Sequence, residues 1–252
     1  MYDIERQQKI LEILKSNKTY SVYKLANELY VSGATIRRDL AKMEEKGLVI
    51  RTFGAVMINP APTNKETSFE LREARNLSEK RSICQRIIPF IKDNSSIFID
   101  SSTTLLHIVP FLQNFHNLTI ITNGLFLAHE IINQTSFHLI LTGGEIQTNT
   151  NSMLGPISYN TITNFHADIC LMSCAAIDND FGISEPTVDA AALKKLMVNN
   201  SDLVILAADE TKFNKKSLYA TCSLNDMDVL ITNKKFTDEE KNFYKDKKII
   251  LG

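Results

Sequence analysis

The chain has 252 residues, of which 44% are hydrophobic and 23% are charged, and its formal net charge is −1. This length suits two domains, and the composition is that of a folded protein, which excludes a disordered or membrane-embedded chain. The first residues are polar and no apolar run approaches the roughly 18 residues of a membrane span. A secretory signal is thereby excluded, and we expect a cytoplasmic protein.

The charges are distributed unevenly along the chain. Residues 1–58 carry ten Lys/Arg and seven Asp/Glu, whereas the remainder has four more acidic than basic side chains. A mildly basic head on an acidic body fits a module that binds a polyanion.

Two helices are predicted at the start of the head. The first lies between Asp3, which can cap it, and Asn17-Lys18, and its apolar residues recur on one stripe: Ile4, Ile10, Leu11, Ile13 and Leu14. The second is short, follows the N-cap residue Ser21, and has its own apolar face: Val22, Leu25, Ala26 and Leu29.

A third helix is predicted from Ser32, its N-cap, to Gly47, after a tight turn at Tyr30-Val31. It buries Ile36, Leu40 and Met43, and two short helices joined by a tight turn are the helix-turn-helix layout. A recognition helix presents its early exposed residues to base edges in the major groove, here Gly33, Ala34, Thr35, Arg37 and Arg38. The alternative interpretation is a solvated basic face.

The segment LVIRTFGAVMI predicts a short hairpin around Gly54, which would form a wing beside the third helix. Arg51 and Thr52 at its base can contact a backbone phosphate, although Arg51 is also explained as a surface strand residue. Ser32 and the helix N-terminus can hold a phosphate as well. The predicted DNA-binding residues are Ser21, Ser32, Gly33, Ala34, Thr35, Arg37, Arg38, Arg51 and Thr52.

The stretch at about 59–68 is rich in Pro, Asn and Thr and has no periodicity, which indicates an interdomain linker. An amphipathic helical stretch follows it. We therefore divide the chain into a winged helix-turn-helix domain over 1–58, a linker over 59–74 and a larger domain over 75–252.

The larger domain alternates apolar strands with helices. Strands are predicted at 95–100, 118–123, 137–144, 167–176, 202–209, 227–233 and 248–251, and helices from Thr103, up to about Asn133, and from Val188 to Asn199. This alternation predicts an α/β fold with a Rossmann-like, mostly parallel sheet covered by helices.

Polar residues follow four of these strands, where ligands bind in such sheets. Hydroxyls and free backbone N–H groups at a helix N-terminus form an anion site, with phosphate as the obvious ligand. The candidate effector-binding residues are Asp100, Ser101, Ser102, Thr103, Thr104, Asn123, Gly143, Gly144, Asp209 and Lys212. Each also has a structural explanation, as a helix cap, a turn or a solvated charge.

The four cysteines form no CxxC pair. His166, Cys170 and Cys174 suggest zinc, but strand alternation over 167–176 places the two thiols on one face, which favours buried structural thiols. We therefore predict neither a metal nor a cofactor.

The segment LANELYVSGATIRRDLAKMEEKGLVIRTFGAV resembles the N-terminal domain of the DeoR family of bacterial regulators. The run VSGATIRRDL carries the resemblance. Phe53 stands where a His is common, and Ala55 stands where a second Gly is common.

The second half is similar to the DeoR-type sensor domain, which resembles isomerases of the ribose-5-phosphate isomerase kind. The matching pieces are 76–80, 100–104, 122–124, 143–144, Gly155, 173–178 and 209–213. Ser102 and Ala176 occupy positions where relatives usually have Gly, which implies a narrower pocket. Ala190 stands where many relatives carry a Glu that could touch a ligand or abstract a proton.

The resemblance implies a transcriptional regulator, most often a repressor, of sugar or sugar-derivative metabolism. Its partners would be double-stranded operator DNA, a phosphorylated sugar-like effector and further copies of itself in a homodimer or homotetramer. We expect no enzyme. The alternatives are a sugar-phosphate isomerase or hydrolase with a DNA-binding head, using Glu145, Glu185 or Glu210 as base, and a constitutive DNA-binding protein whose body only dimerises.

Overall fold

A computed structural model describes residues 3–16, 19–45, 48–52, 55–58, 69–246 and 250–251. These residues divide into two compact units. The first holds residues 3–58 and 70–75, and the second holds Phe69 and residues 76–251. The domain limits at 58 and 75 remain predictions, because most of the linker lies outside the described residues.

The described part of the first unit contains α1 (Asp3–Ser16), β1 (Tyr20–Ser21), α2 (Val22–Glu28), α3 (Gly33–Glu45), β2 (Val49–Thr52) and β3 (Ala55–Ile58). The predicted apolar stripes of the three helices meet in one core that includes Ile10, Leu25, Ile36 and Leu40. The three-helix prediction is therefore confirmed. The expected terminators Asn17-Lys18 and Gly47 lie outside the described residues.

The predicted hairpin is present: β2 pairs antiparallel with β3. Phe53 and the turn residue Gly54 lie outside the described residues. β3 also pairs with β1, so the order in this small sheet is β1-β3-β2. The sequence did not predict β1, because a two-residue strand is too short to show alternation.

The amphipathic stretch that follows residues 59–68 forms two helices, α4 (Phe69–Glu73) and α5 (Leu77–Ile87), followed by a 3-10 turn at Ile88–Phe90. The break lies at Asn76, whose φ of +54° is left-handed and cannot continue a right-handed helix. Because α4 is helical, residues 69–73 of the expected linker have regular structure.

In the second unit the described elements are β4 (Ser96–Ile99), α6 (Val109–Leu112), β5 (Thr119–Thr122), α7 (Leu125–Gln134), β6 (His138–Leu141), β7 (Glu145–Gln147), β8 (Ser152–Leu154), α8 (Pro156–Thr163), β9 (Ala167–Met172), β10 (Ala176–Asp178), β11 (Gly182–Glu185), α9 (Val188–Asn199), β12 (Ser201–Ala207), β13 (Tyr219–Cys222), β14 (Val229–Ile231), α10 (Asp238–Asp246) and β15 (Ile250–Leu251). Further 3-10 turns lie at Leu105–Ile108, Glu210–Lys212 and Leu224–Asp226. Within the described ranges, none of the helices has both the length and the apolar character needed to span a bilayer.

Seven strands form one parallel sheet in the order β15-β14-β12-β9-β4-β5-β6. Both faces of this sheet are buried: Phe98 packs in the core on one face, and its neighbours Ile97 and Ile99 pack on the other. Strands covered on both faces are apolar throughout, which explains the apolar runs in the sequence. The predicted fold class, a winged helix-turn-helix with a Rossmann-like parallel α/β unit, is confirmed.

The apolar run over 167–176 is not one strand, as predicted, but two. β9 ends at Met172 and β10 begins at Ala176, so Cys174 lies between them rather than on the face of a strand. Cys170 and Cys174 are nevertheless buried in the same core, as expected of structural thiols. Smaller elements that the sequence did not predict complete the unit: β7, β8, β11, β13, α8 and α10.

Candidate functional site

Serine side chains cap both helices of the helix-turn-helix. Ser21 Oγ accepts a hydrogen bond from the Lys24 backbone N–H at 3.2 Å. Ser32 Oγ accepts one from the Thr35 backbone N–H at 3.1 Å and also shares a 2.8 Å hydrogen bond with the Thr35 hydroxyl. The predicted capping roles are therefore confirmed. The turn between the helices passes through Tyr30, whose φ is +55°.

The N-terminal half of α3 presents the predicted residues outward. Ala34, Arg37 and Arg38 are exposed, whereas Gly33 and Thr35 are half-buried. A Cβ added to Gly33 would have no neighbour closer than Arg37 Nη1 at 3.8 Å. The fold therefore does not require glycine at this position, and the absence of a side chain leaves the backbone open to a ligand.

The opposite side of α3 carries an ion pair that the sequence analysis missed. Asp39 is buried and accepts hydrogen bonds from Arg6 Nε at 2.5 Å and Arg6 Nη2 at 3.2 Å. This two-point contact joins α3 to α1, and bidentate Arg–carboxylate geometry fixes orientation as well as distance. The sequence carried a signal for it, because Asp39 falls on the buried stripe between Ile36 and Met43.

The wing residue Arg51 contacts α3. Its Nη1 lies 3.4 Å from Glu44 Oε2, and its backbone N–H donates to Glu44 Oε1 at 3.3 Å. Both side chains are exposed, so this pair contributes little to stability. Thr52 donates its hydroxyl to the Ala55 carbonyl at 3.4 Å. β2 and α3 therefore share a polar contact at their outer surface.

In the second unit, the candidate effector residues lie along one edge of the parallel sheet. One candidate follows each of four strands: Asp100 follows β4, Asn123 follows β5, Gly143 follows β6 and Asp209 follows β12. These residues share an edge because the strands are parallel and their carboxyl ends lie on the same side. The chain continues from β4 to β5 and β6 on one side and to β9, β12 and β14 on the other. The junction between β4 and β9 is thus the switch point at which open α/β sheets bind ligands.

Asp100, at this switch point, is fully engaged by the protein itself. Its Oδ1 accepts the Ser102 N–H at 2.9 Å, and its Oδ2 accepts the Ser173 N–H at 3.0 Å. Lys194 Nζ lies 3.1 Å from the same Oδ2. Asp100 therefore orders the loop after β4 and joins it to the end of β9.

Lys194 is the main residue of this edge that the sequence analysis did not identify. Its side chain is only 13% exposed, and its Nζ contacts Glu185 Oε1 at 2.6 Å and the Ser173 carbonyl at 2.8 Å. Burial by itself lowers the pKa of Lys194, but Glu185 and Asp100 outweigh it and raise that pKa above its ordinary value. A signal existed, because Lys194 lies three residues after Ala191 and four before Val198 on the buried stripe of α9.

The loop after β4 is also fixed to β5. Asn123 Oδ1 accepts the Ser101 N–H at 3.1 Å, and Asn123 Nδ2 donates to the Met153 carbonyl at 3.2 Å. Gly124 permits this approach, since a Cβ there would lie 3.0 Å from Ser101 Cα.

Thr103 and Thr104 are buried beside this loop, and the Thr104 carbonyl accepts a hydrogen bond from Cys84 Sγ at 3.1 Å. The helix expected from Thr103 starts instead as a 3-10 turn at Leu105, and α6 itself has four residues. The predicted anion site depends on a regular helix that begins at Thr103. A helix this short does not supply one, so any anion must be met by the loop and by side chains.

Gly143 and Gly144 have structural reasons for their residue type. Their φ angles are +70° and +107°, and a Cβ on Gly144 would lie 2.5 Å from the Leu154 carbonyl oxygen. The Ser158 hydroxyl donates to the Gly143 carbonyl. The two glycines therefore let the turn after β6 pack closely against β8 and α8.

Asp209 and Lys212 lie at the end of β12. Asp209 is buried, and its Oδ1 accepts hydrogen bonds from the Thr211 N–H, at 2.9 Å, and from the Thr211 hydroxyl. Lys212 is half-buried, and its ammonium forms no hydrogen bond or ion pair with the residues that the structure describes. Of the candidate effector residues, Lys212 is therefore the cation available to a ligand.

A cavity of about 390 Å³ lies at the opposite edge of the sheet, before β5 and β6. None of the candidate effector residues lines it; its walls are Gln113, Phe115, His116, Asn133, Gln134, Thr135, Ser136 and Phe137. In the described part of the chain, no three His, Cys, Asp or Glu side chains are grouped to hold a metal ion.

Two protein-family models match the chain, one in its N-terminal part and one over most of the remainder. Residues 6–61 match the DeoR-like helix-turn-helix domain, and residues 75–234 match the DeoR C terminal sensor domain. The chain belongs to the DeoR family. It is therefore a DNA-binding transcriptional regulator of the helix-turn-helix type, as the sequence analysis expected.

Curated relatives of this DeoR-family chain match it over almost its whole length. It is 33% identical to the HTH-type transcriptional regulator GolR of Listeria innocua, over 93% of this chain and 92% of the relative. It is 32% identical to the HTH-type transcriptional repressor CsqR of Escherichia coli, over 93% and 87%. The Escherichia coli glycerol-3-phosphate regulon repressor is 29% identical over 92% of both chains.

Among solved structures, ribose 5-phosphate isomerase A from Methanocaldococcus jannaschii aligns with 55% of this chain and 55% of its own, at 11% identity and a TM-score of 0.40. Neither function nor ligand follows from a likeness of this extent.

Proposed function

We propose that this regulator represses genes of sugar or sugar-derivative metabolism, and that α3 reads its operator in the major groove. The observation that most supports this proposal is the exposed face of α3. Arg37 and Arg38 are exposed there, and the backbone at Gly33 is not covered by a side chain. The relatives support repression: CsqR is a transcriptional repressor, and another relative is the repressor of the glycerol-3-phosphate regulon.

Within this interface, different residues would contact the bases and the phosphates. Arg37 and Arg38 can each form two hydrogen bonds to a guanine edge, and Thr35 can meet a thymine methyl group. Contacts to phosphates position the protein on the duplex and do not read its sequence. We assign these contacts to the cap residues of α2 and α3, Ser21 and Ser32, and to Arg51 and Thr52 of β2. In the complex, Arg51 would exchange Glu44 for a phosphate oxygen.

Operator binding tests this proposal. We expect Arg37→Ala and Arg38→Ala to weaken binding to the protein's own promoter region by about 1–3 kcal/mol when the contact is to a base edge. Lys9→Ala is the matched control, because Lys9 is an exposed cation on α1 and its loss changes the charge equally. Equal affinity of both arginine variants and the wild type, measured by fluorescence anisotropy, would remove α3 from the interface.

We further propose that the carboxyl edge of the sheet binds a phosphorylated sugar-type effector. No Lys or Arg occurs between Lys92 and Lys194, and Lys194 is already paired with two carboxylates. The phosphate charge would therefore be met by Lys212 and by the hydroxyls of Ser101 and Ser102, whose backbone N–H groups already donate to Asn123 and Asp100. The effector alters repression only if it binds the DNA-competent and DNA-incompetent states with different affinity.

Thermal shift against a panel of pentose and hexose phosphates tests the effector. A ligand that binds the folded state raises the melting temperature. We expect the shift to be lost in Lys212→Ala and retained in Lys215→Ala, whose Nζ contacts the Thr211 carbonyl on the same turn. If no phosphorylated compound stabilises the wild type, the sensor proposal fails while the operator proposal stands.

Catalysis by the isomerase-like alternative would need a positioned general base. Of the three glutamates considered, Glu185 is buried and bound to Lys194, while Glu145 and Glu210 are exposed. This arrangement supports a sensor rather than an enzyme. Turnover of any panel compound above background by the pure protein would reverse that choice.

A further inference from the structure

Tyr30 occupies a position in the turn before α3 at which the backbone favours glycine. The Val31 N–H donates to the Ala26 carbonyl at 3.0 Å, and the Tyr30 N–H donates to the Asn27 carbonyl at 3.3 Å. This pair of hydrogen bonds is the Schellman ending of a helix, in which the left-handed residue is usually glycine. Tyr30 adopts the required φ of +55° although it carries a side chain. The hydrogen bonding of the turn therefore does not call for a tyrosine.

The Tyr30 side chain has no role within the first unit that its contacts show. It is 94% exposed, and its hydroxyl forms no hydrogen bond with the residues that the structure describes. Tyr20, by comparison, donates its hydroxyl to Glu28 Oε2 at 2.7 Å. Residues held in a costly backbone conformation cluster at binding sites, where the side chain has a use outside the fold. Tyr30 is therefore a candidate for contact with a ligand of this unit.

Tyr30 is held close to the N-terminus of α3. Val31 packs against the core of the first unit, and Ser32 caps α3 by accepting a hydrogen bond from the Thr35 N–H at 3.1 Å. Both residues that follow Tyr30 before α3 begins are thus anchored. The fold consequently fixes the position of Tyr30 relative to the exposed end of α3.

The dimensions of DNA place this turn at the wall of the major groove. An α-helix with its side chains is about 10–12 Å across, and the groove is about 12 Å wide. A helix that enters by its N-terminal end therefore fills the groove, and the turn before it lies against a phosphate backbone. Tyrosine is one of the side chains that donate hydrogen bonds to phosphate oxygens in protein–DNA complexes.

We propose that the Tyr30 hydroxyl donates a hydrogen bond to a phosphate oxygen of the bound duplex. The location of this contact rests on the proposed entry of α3 into the major groove. The charge of the surrounding segment supports it, because residues 29–38 contain two arginines and no acidic residue that would repel a phosphate. The contact is uncharged and reads no base, so it adds affinity for any duplex.

Removal of a single oxygen atom tests the contact. Tyr30→Phe keeps the ring and the Cβ, so the turn keeps its conformation. We expect this variant to bind the protein's own promoter region and an unrelated duplex more weakly by the same factor of about ten, which 1.4 kcal/mol represents. The salt dependence of binding should not change, because tyrosine carries no charge that releases counterions. Tyr219→Phe is the matched control, since Tyr219 is a 38% exposed tyrosine of the second unit.

Tyr30→Gly separates a role in binding from a role in the fold. A tyrosine with a structural role alone would lose stability and affinity together. Because glycine adopts a positive φ without steric cost, we expect the melting temperature of this variant to be unchanged or higher. Its affinity for both duplexes should nevertheless fall by about tenfold, as in Tyr30→Phe.

Wild-type affinity of Tyr30→Phe for both duplexes overturns the proposal. A loss confined to the promoter duplex also overturns it, because that pattern belongs to a base contact. Weak binding by Arg37→Ala with wild-type binding by Tyr30→Phe keeps the proposed function and removes this contact. Wild-type binding by both Arg37→Ala and Arg38→Ala instead removes α3 from the groove, and the Tyr30→Phe titration still decides whether Tyr30 contacts a phosphate.

Discussion

Tyr30 shows how a single residue can carry a measurable conformational cost. It has a left-handed φ of +55° at the end of α2, where its ring is 94% exposed. An L-residue with a side chain pays about 1–2 kcal/mol for this conformation, and glycine does not. We therefore expect Tyr30→Gly to raise the free energy of unfolding by up to about 1 kcal/mol in urea titrations.

Tyr23→Gly is the control for that experiment, since Tyr23 is an exposed tyrosine inside α2. There glycine should lower stability by about 1 kcal/mol, because helix interiors disfavour it. The same sign of change in both variants would show that the turn conformation carries no cost.

His107 gives the second unit a predictable pH response. Burial, and then the positive charges of Lys80 and Arg81, lower the pKa of His107 to about 4. The folded state therefore keeps the imidazole neutral, while the unfolded chain protonates it below its ordinary pKa of about 6.5. Stability from this residue is complete above that value and is lost as the pH falls toward 4.

We accordingly expect the urea midpoint to fall less between about pH 7.5 and about pH 5 in His107→Gln than in the wild type. His138→Gln should behave as the wild type does, because His138 is exposed. Identical midpoint losses in all three proteins would contradict the assignment.

At the scale of elements, α3 combines a structural face with an open one. Gly33→Ala should leave the melting temperature unchanged or slightly higher, because the added Cβ meets only Arg37 Nη1 at 3.8 Å and alanine is the better helix former. On the proposed function, the same methyl group should lower operator affinity by about tenfold, the factor that 1.4 kcal/mol represents. Unchanged affinity in gel-shift titrations would mean that the DNA backbone does not approach this position.

Helix α9 is held to the loop after β4 through Lys194. Replacing Lys194 by Met leaves Asp100 and Glu185 buried without their cation, and we expect a loss of about 3–5 kcal/mol in stability. Lys195→Met, at the exposed next position, should stay within about 0.5 kcal/mol of the wild type.

Adding Glu185→Gln to Lys194→Met should recover part of the loss, because one of the two unpaired charges is removed. Urea unfolding of the wild type, Lys194→Met, Glu185→Gln and the double variant measures the coupling. Additive losses would show that Lys194 and Glu185 act independently, contrary to their 2.6 Å contact.

At the scale of the whole molecule, the two units have separate hydrophobic cores among the described residues. A chain built in this way need not unfold in one step. We expect calorimetry to resolve two unfolding transitions. Leu25→Ala should lower the free energy of unfolding of the first unit, and Leu206→Ala that of the second unit, each by about 2–5 kcal/mol. If either substitution shifts both transitions equally, the units unfold as one.

Local sequence patterns determined the positions and buried faces of several helices. Helical spacing predicted the buried faces of α1, α2 and α3, serine caps predicted where α2 and α3 begin, and α9 spans the predicted 188–199. These features are decided by neighbouring residues, because periodicity and capping act within a few positions of the chain. The exposure of Ala34, Arg37 and Arg38 on α3 follows from the same local spacing.

Tertiary structure alone decided which charges are buried. Arg6–Asp39 and Lys194–Asp100 pair residues that lie far apart in the chain, so their partners could not be read from local spacing even though their positions on buried stripes could. The same holds for the place of β6 at the end of the described sheet, which depends on the order of its strands. Contacts between distant segments are set by how the layers pack, and only the assembled fold fixes that.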